Sequence, residues 1–266
     1  MYAFEYLKPA SVQDAVAQLA AHPEGKFLSG GHTLIPAMKL RLAGPAALVD
    51  LNGLDELRGI RRESDTLVIG ALSRHREVAT SDVVRDAIPV LAEMVGTIGD
   101  PAVRHRGTIG GSIANNDPSA DYAAAVMALA ATVVTDRRRI EAEEYFQGLF
   151  TTALEEGEIV TAVEFPLPRR MGYAKFRNPA SRYALCGVCV AETAGGEVRV
   201  AVIGAGANGV FRPAEFETAL MSDFSAKALE GKTVDPSDMA SDIHADQDYR
   251  AHLVGVMARR AVAAAR

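Results

Sequence analysis

Leu28-Ser29-Gly30-Gly31-His32-Thr33-Leu34-Ile35 and Arg106-Gly107-Thr108-Ile109-Gly110-Gly111-Ser112 are the two stretches on which the fold turns. The first lies between a short predicted strand over 26–28 and a predicted helix over 34–42, in which Pro36 occupies the tolerant first turn. The second follows a buried helix predicted over 86–95 and falls in a long loop, 96–111, rich in Gly and Arg. Paired glycines let backbone N–H groups converge with no Cβ in the way, and a helix N-terminus adds a positive dipole. Either stretch alone reads equally well as a tight turn. Together, with hydroxyls at Ser29, Thr33, Thr108 and Ser112, they point to the pyrophosphate of a dinucleotide.

Around these stretches the periodicities are regular. Ser11 is an N-cap for a helix over 11–22, with Val12, Ala15, Val16 and Leu19 on one face. A strand over 46–51 ends at Asn52-Gly53. Segments 58–62 and 66–71 form an antiparallel pair across Glu63-Ser64-Asp65. The turn Asn115-Asn116-Asp117-Pro118 leads into an Ala-rich helix over 119–131, then strands over 132–135, 139–142 and 157–165. Pro166-Leu167-Pro168-Arg169-Arg170 is the natural domain boundary. Beyond it lie strands over 172–177, 184–193 and 197–203, the last two joined at Gly195-Gly196, and helices over 213–221, 225–229 and 248–265. The chain reads as α+β in two domains.

Composition removes several functions. The 266 residues carry a net charge of −6, against the clustered Lys and Arg that a phosphate backbone requires, so nucleic acid is not the partner. Two cysteines cannot ligate an iron–sulfur cluster, which takes four thiolates, nor build a disulfide framework. Met1-Tyr2-Ala3-Phe4-Glu5-Tyr6 lacks the basic and apolar regions of a signal peptide, and no apolar run is long enough to span a bilayer; a cytoplasmic location is expected.

Three motifs do not carry chemistry. Gly204-Ala205-Gly206-Ala207-Asn208-Gly209 matches the dinucleotide fingerprint, but Pro213 stands where the required helix should form, and the segment before Asp223 is no strand. Cys186 and Cys189 have redox spacing, but they sit in a strand, where residues three apart face opposite sides. No second Cys or His pair completes a zinc site. Arg104-His105-Arg106 suits a solvated loop better than an anion site, and Asp117 suits a helix N-terminus. No Ser–His–Asp set is present.

Ser29-Gly30-Gly31-His32-Thr33 and the run from Thr108-Ile109-Gly110-Gly111 through Asn115-Asn116-Asp117-Pro118-Ser119-Ala120-Asp121 resemble the FAD-binding medium subunit of molybdenum hydroxylases, the family of aerobic carbon monoxide dehydrogenase and xanthine dehydrogenase. The likeness extends over Glu164-Phe165-Pro166, Lys175-Phe176-Arg177 and a closing helix with Tyr249-Arg250. It implies a PCMH-type (vanillyl-alcohol-oxidase-like) FAD-binding domain over 1–168, with subdomains of about 1–55 and 56–168. A smaller α+β domain with a three-stranded antiparallel sheet would follow over 169–266.

The resemblance assigns FAD contacts to Leu28, Ser29, Gly30, Gly31, His32, Thr33, Leu34 and Ile35, and to Thr108, Gly110 and Gly111. His32 would make a non-covalent contact. Asp121 matches an acid that hydrogen-bonds the cofactor, Lys175 a lysine beside it, Val160 an apolar contact, and Tyr183 a tyrosine over the flavin ring. Gly110→Val is expected to block the pyrophosphate and leave the fold largely intact. The implied partners are a large molybdenum–pterin subunit and a small 2Fe–2S subunit, in a dimerised complex. Electrons would pass from the clusters to FAD and on to NAD, a quinone or oxygen, with no acid–base pair in this chain. The scarcity of cysteine places the clusters on the partner. A stand-alone PCMH-type flavin oxidoreductase, acting directly on a small substrate, is the alternative; it needs a substrate base that the sequence does not supply.

Overall fold

Ser11 caps the first helix, Val12–Ala20, as its position predicts: its Oγ accepts the Asp14 N–H at 3.1 Å. The structure, a computed structural model, describes residues 1–266. Val12 and Ala15 of that helix pack with Val49, Leu51, Leu57 and Leu72 into a small core. Beneath them lies a parallel sheet of β1 (Glu5–Leu7), β2 (Lys26–Leu28) and β3 (Ala47–Asp50), in the order β1-β3-β2. Parallel strands need a crossover; helix Leu34–Lys39 lies on the one from β2 to β3. The first glycine segment therefore leaves the end of a strand directly at the sheet margin.

The second sheet is antiparallel. It comprises β4 (Ile60–Glu63), β5 (Thr66–Gly70), β6 (Thr132–Thr135) and β7 (Arg139–Glu141). After a small hairpin, β8 (Phe146–Gly148) and β9 (Thr151–Thr152), comes β10 (Val160–Pro166). The order is β4-β5-β10-β6-β7, so β10 returns from the far end of the chain segment to become the central strand.

Three predicted elements are corrected. The single helix over 86–95 is two, Asp82–Ala87 and Pro89–Gly96. Pro89 has no N–H to continue the first, and it starts the second instead. The loop over 96–111 is largely helical, with Pro101–Arg106 capped by Asp100 and Ile109–Asn115 capped by Thr108. A further short helix, His75–Thr80, has no counterpart in the sequence reading. The Ala-rich helix begins later than expected, at Asp121, because residues 117–120 remain a turn, with the Asp117 carboxylate accepting the Ser119 N–H at 2.9 Å.

The third sheet, β11 (Arg170–Arg177), β12 (Ala184–Glu192) and β13 (Val198–Ile203), is antiparallel, with Gly196 turning the last hairpin at φ 87°. One face packs on helix Asp121–Ala128 and the other on helix Gln247–Ala263. Cys189 faces the core shared with helix Asp121–Ala128 and Cys186 the core shared with helix Gln247–Ala263, and both are fully buried, so the thiols never meet. Burial pushes the Cys186 thiol up to about 12 and Cys189 higher still, which keeps both protonated and inert. The Gly204-to-Gly209 loop starts no helix. The Gly204 N–H donates to the Pro118 carbonyl at 2.8 Å, and Val202 pairs with Phe211 across the loop. No helix is long and apolar enough to cross a membrane.

Candidate functional site

The parallel sheet, the margin of the antiparallel sheet and the start of helix Asp121–Ala128 enclose a cavity of about 1140 Å³. Its wall contains Leu28 through Leu34 of the first glycine segment and Thr108, Gly110 and Gly111 of the second, together with Asp121, Val160 and Tyr183. Two of the sequence-assigned residues stand outside the wall. Ile35 packs behind Gly31, with its Cγ1 3.1 Å from where a Gly31 Cβ would be. Lys175 lies behind Asp121. The volume slightly exceeds the roughly 300–1,000 Å³ of clefts that hold one compact ligand, as a dinucleotide requires.

In the first segment, none of the backbone N–H groups from Ser29 to Thr33 has an acceptor within the chain. Gly31 holds φ at 73°, a left-handed conformation that keeps this run from curling into a helix one turn early. Its neighbour Gly30 serves close approach. A Cβ there would stand 2.5 Å from the Arg106 carbonyl oxygen and 2.9 Å from the Gly107 Cα, so the two glycine segments touch backbone to backbone. Ser29 Oγ and Thr108 Oγ1, 2.7 Å apart, join them again. Asn52 fixes the strand end by donating from Nδ2 to the Ser29 carbonyl at 2.8 Å and to Asp50 Oδ1 at 2.6 Å. Burial works to raise the Asp50 carboxyl, but hydrogen bonds from Tyr6 and Asn52, with Arg106 nearby, hold it below the usual carboxylate range. His32 Nδ1 lies 3.4 Å from the Gly30 carbonyl.

The second segment is built differently. Its N–H groups are largely spent inside the fold: Ile109 donates to the Ser73 carbonyl at 3.1 Å, Gly110 to that of Ala71 at 2.9 Å, and Gly111 to Thr108 Oγ1 at 3.2 Å. Gly110 is a packing glycine, because a Cβ there would lie 2.6 Å from that of Ala71. Gly110→Val therefore disturbs the fold itself, contrary to the expectation from sequence, and cannot isolate a ligand contact.

At the far wall, Asp121 Oδ1 accepts from Lys175 Nζ at 2.7 Å and from Tyr173 Oη at 2.6 Å. Burial and the adjacent Asp121 carboxylate raise the Tyr173 hydroxyl well above its ordinary value, so it stays a donor. Asp121 Oδ2 has no partner in the chain. Tyr183 is half-exposed at the rim, beside Arg182, which is left-handed at φ 64° and donates from Nη1 to the Gly99 carbonyl at 3.3 Å.

Asn52, Tyr173 and His75 escaped the sequence reading. Tyr173 was within reach of it, because alternate strand residues share a face and Tyr173 sits two before Lys175. Asn52 and His75 carry no motif. Arg104, expected to solvate its loop, is instead tied to the backbone: Nη1 donates to the Ile98 and Gly99 carbonyls at 2.8 and 3.2 Å.

The family model described as the FAD binding domain in molybdopterin dehydrogenase matches residues 2–168. The chain is 35% identical to the carbon monoxide dehydrogenase medium chain of Hydrogenophaga pseudoflava, over 98% of this chain and 96% of the relative. It is 36% identical to that of Afipia carboxidovorans, over 97% and 95%. Among solved structures, a chain of reconstituted CO dehydrogenase from Oligotropha carboxidovorans superposes with a TM-score of 0.89 at 33% identity, covering 99% of both chains.

Proposed function

Because the chain belongs to the FAD-binding family of molybdopterin dehydrogenases, whose members here are oxidoreductase subunits, we propose that it is the electron-transferring flavoprotein subunit of a molybdenum hydroxylase. The observation that supports this most directly is the run of unpaired N–H groups from Ser29 to Thr33, opening on a cavity of about 1140 Å³. Gly30 is buried, Ser29 and Gly31 are half-buried, and His32 and Thr33 face outward; a buried backbone donor seldom goes without an acceptor, and a run of convergent N–H groups at a strand end suits an anionic ligand. The residues fit the cofactor: a donor-rich strand end for the diphosphate, apolar Leu28, Leu34 and Val160 for the rings, and an acid, Asp121, at the opposite wall.

When bound, FAD supplies the redox chemistry that links 2Fe–2S clusters on a small partner chain to a terminal acceptor, NAD, a quinone or oxygen. This chain's residues bind and orient. Ser29 through Thr33 hold the diphosphate by backbone donors. Asp121, aimed by Lys175 and Tyr173, accepts from the cofactor through Oδ2. Tyr183 covers the flavin ring from the rim. Substrate oxidation belongs to a large molybdenum–pterin partner, in a dimerised cytoplasmic complex. The assignment divides the chain into a PCMH-type domain over 1–168, in two subdomains meeting near residue 55, and a C-terminal domain over 169–266. The extent of the family match, residues 2–168, supports that division.

The test is direct. The purified chain is expected to be yellow, with bound-flavin absorbance, and acid precipitation should release FAD into the supernatant, because the contacts are non-covalent. A colourless protein that takes up no flavin on reconstitution overturns the assignment.

A further inference from the structure

His75 stands at the junction of the two glycine segments, with its imidazole in the cavity wall and 5% of its surface exposed. Its side chain makes no hydrogen bond in the chain. Nδ1 is wholly buried without a partner, leaving Nε2 as the ring nitrogen that reaches the cavity. Gly107 makes room for it, since a Cβ at Gly107 would lie 2.5 Å from Nε2. The Gly107 Cα is also the atom against which Gly30 closes. The backbone is held there too, by the His75 N–H donating to the Gly107 carbonyl at 2.9 Å. Behind the ring lies Tyr122, with centroids 5.5 Å apart. Glycine, ring and backbone bond together fix a nitrogen beside the diphosphate-binding run.

From this geometry we infer that His75 is a cofactor-binding residue, donating from Nε2–H to the diphosphate of FAD. The inference rests on the FAD assignment above. It answers a need the second glycine segment leaves open, because the N–H groups of Ile109, Gly110 and Gly111 are already engaged and a diphosphate has oxygens on both sides. Burial, then the nearby charges of His32 and Arg104, press the imidazole down to about 4, so it is neutral at working pH. A neutral ring carries one proton. Placing it on Nε2 strands a lone pair at Nδ1 in place of an N–H, and buried orphan N–H groups are the rarer case. The donor is thus preset before the ligand arrives.

The experiment is an equilibrium titration of the flavin-free full-length chain with FAD, and with ADP and adenosine as fragments. His75→Phe keeps the ring packing against Tyr122 and removes the donor. It is expected to weaken FAD and ADP on the order of 10- to 100-fold, the worth of one hydrogen bond to a charged group, and to leave adenosine unchanged. His75→Gln places an amide N–H near the Nε2 position and should restore most of the affinity. It also covers the case in which His75→Phe fails to fold. Unchanged FAD binding by His75→Phe, or an equal loss for adenosine, overturns the inference while the FAD assignment stands. Failure of the wild-type chain to bind FAD removes the assignment itself.

Discussion

Gly30→Ala is expected to weaken FAD binding on the order of 100-fold, the equivalent of one strong hydrogen bond to a charged ligand, while the chain still folds. The new methyl would meet the Arg106 carbonyl oxygen at 2.5 Å and the Gly107 Cα at 2.9 Å. Both are backbone atoms, so no rotamer change relieves the contact, and the two glycine segments must separate. The Ser29–Thr108 hydroxyl pair at 2.7 Å separates with them. Overpacking of this kind costs about 1–3 kcal/mol, a shift of a few degrees in melting temperature for a chain this long. Gly111→Ala is the control. Its Cβ would press on Thr108 Oγ1 at 2.9 Å and lie 3.6 Å from Ser29, so it strains one helix cap and leaves the segments in contact. Flavin titration and thermal melting of both variants without flavin check this. Full flavin occupancy in Gly30→Ala refutes the close-approach role.

The contrast between Gly30 and Gly110 shows what sequence could and could not say about this site. Both glycine pairs read as pyrophosphate loops, and both line the cavity. Only the first offers free donors. In the second, Thr108 caps a helix whose first turn contains Gly110 and Gly111, and glycine's poor helix propensity hid that helix. The reason it forms is tertiary: Ala71 and Ser73, on the chain leaving β5, accept its N–H groups, and no local pattern reveals that. The same limit applies to the broken helix at Pro89 in part only, since a proline after Ile88 is itself a boundary signal. The strands over 26–28, 132–135 and 197–203 are legible because short apolar or β-branched runs there are bounded by turn residues such as Gly25, Asp136 and Gly196. His75 is not, because its meaning lies in a missing Cβ thirty-two positions away, at Gly107.

Lys175→Ala should cost about 3–5 kcal/mol of stability, because removing one partner of a buried pair leaves the other charge uncompensated. Lys175 and Asp121 are each 5% exposed and 2.7 Å apart. They join β11 to the start of the Ala-rich helix. Without the ammonium, Asp121 Oδ1 keeps only the Tyr173 hydroxyl at 2.6 Å. The loss should appear in denaturant unfolding of the flavin-free chain, where ligand binding does not mask it. Asp121→Asn combined with Lys175→Met removes both charges and fills the space. It is expected to recover much of the stability, since buried ion pairs are often replaceable by neutral groups of similar volume, but not the FAD affinity, because an amide cannot reproduce a carboxylate's charge toward a cofactor donor. That divergence separates the two roles of the pair. Stability needs only that no charge be left alone, whereas the proposed function requires for cofactor binding the carboxylate of Asp121 and a cation behind it. Recovery of FAD affinity together with stability in the double variant shows that the pair serves packing alone.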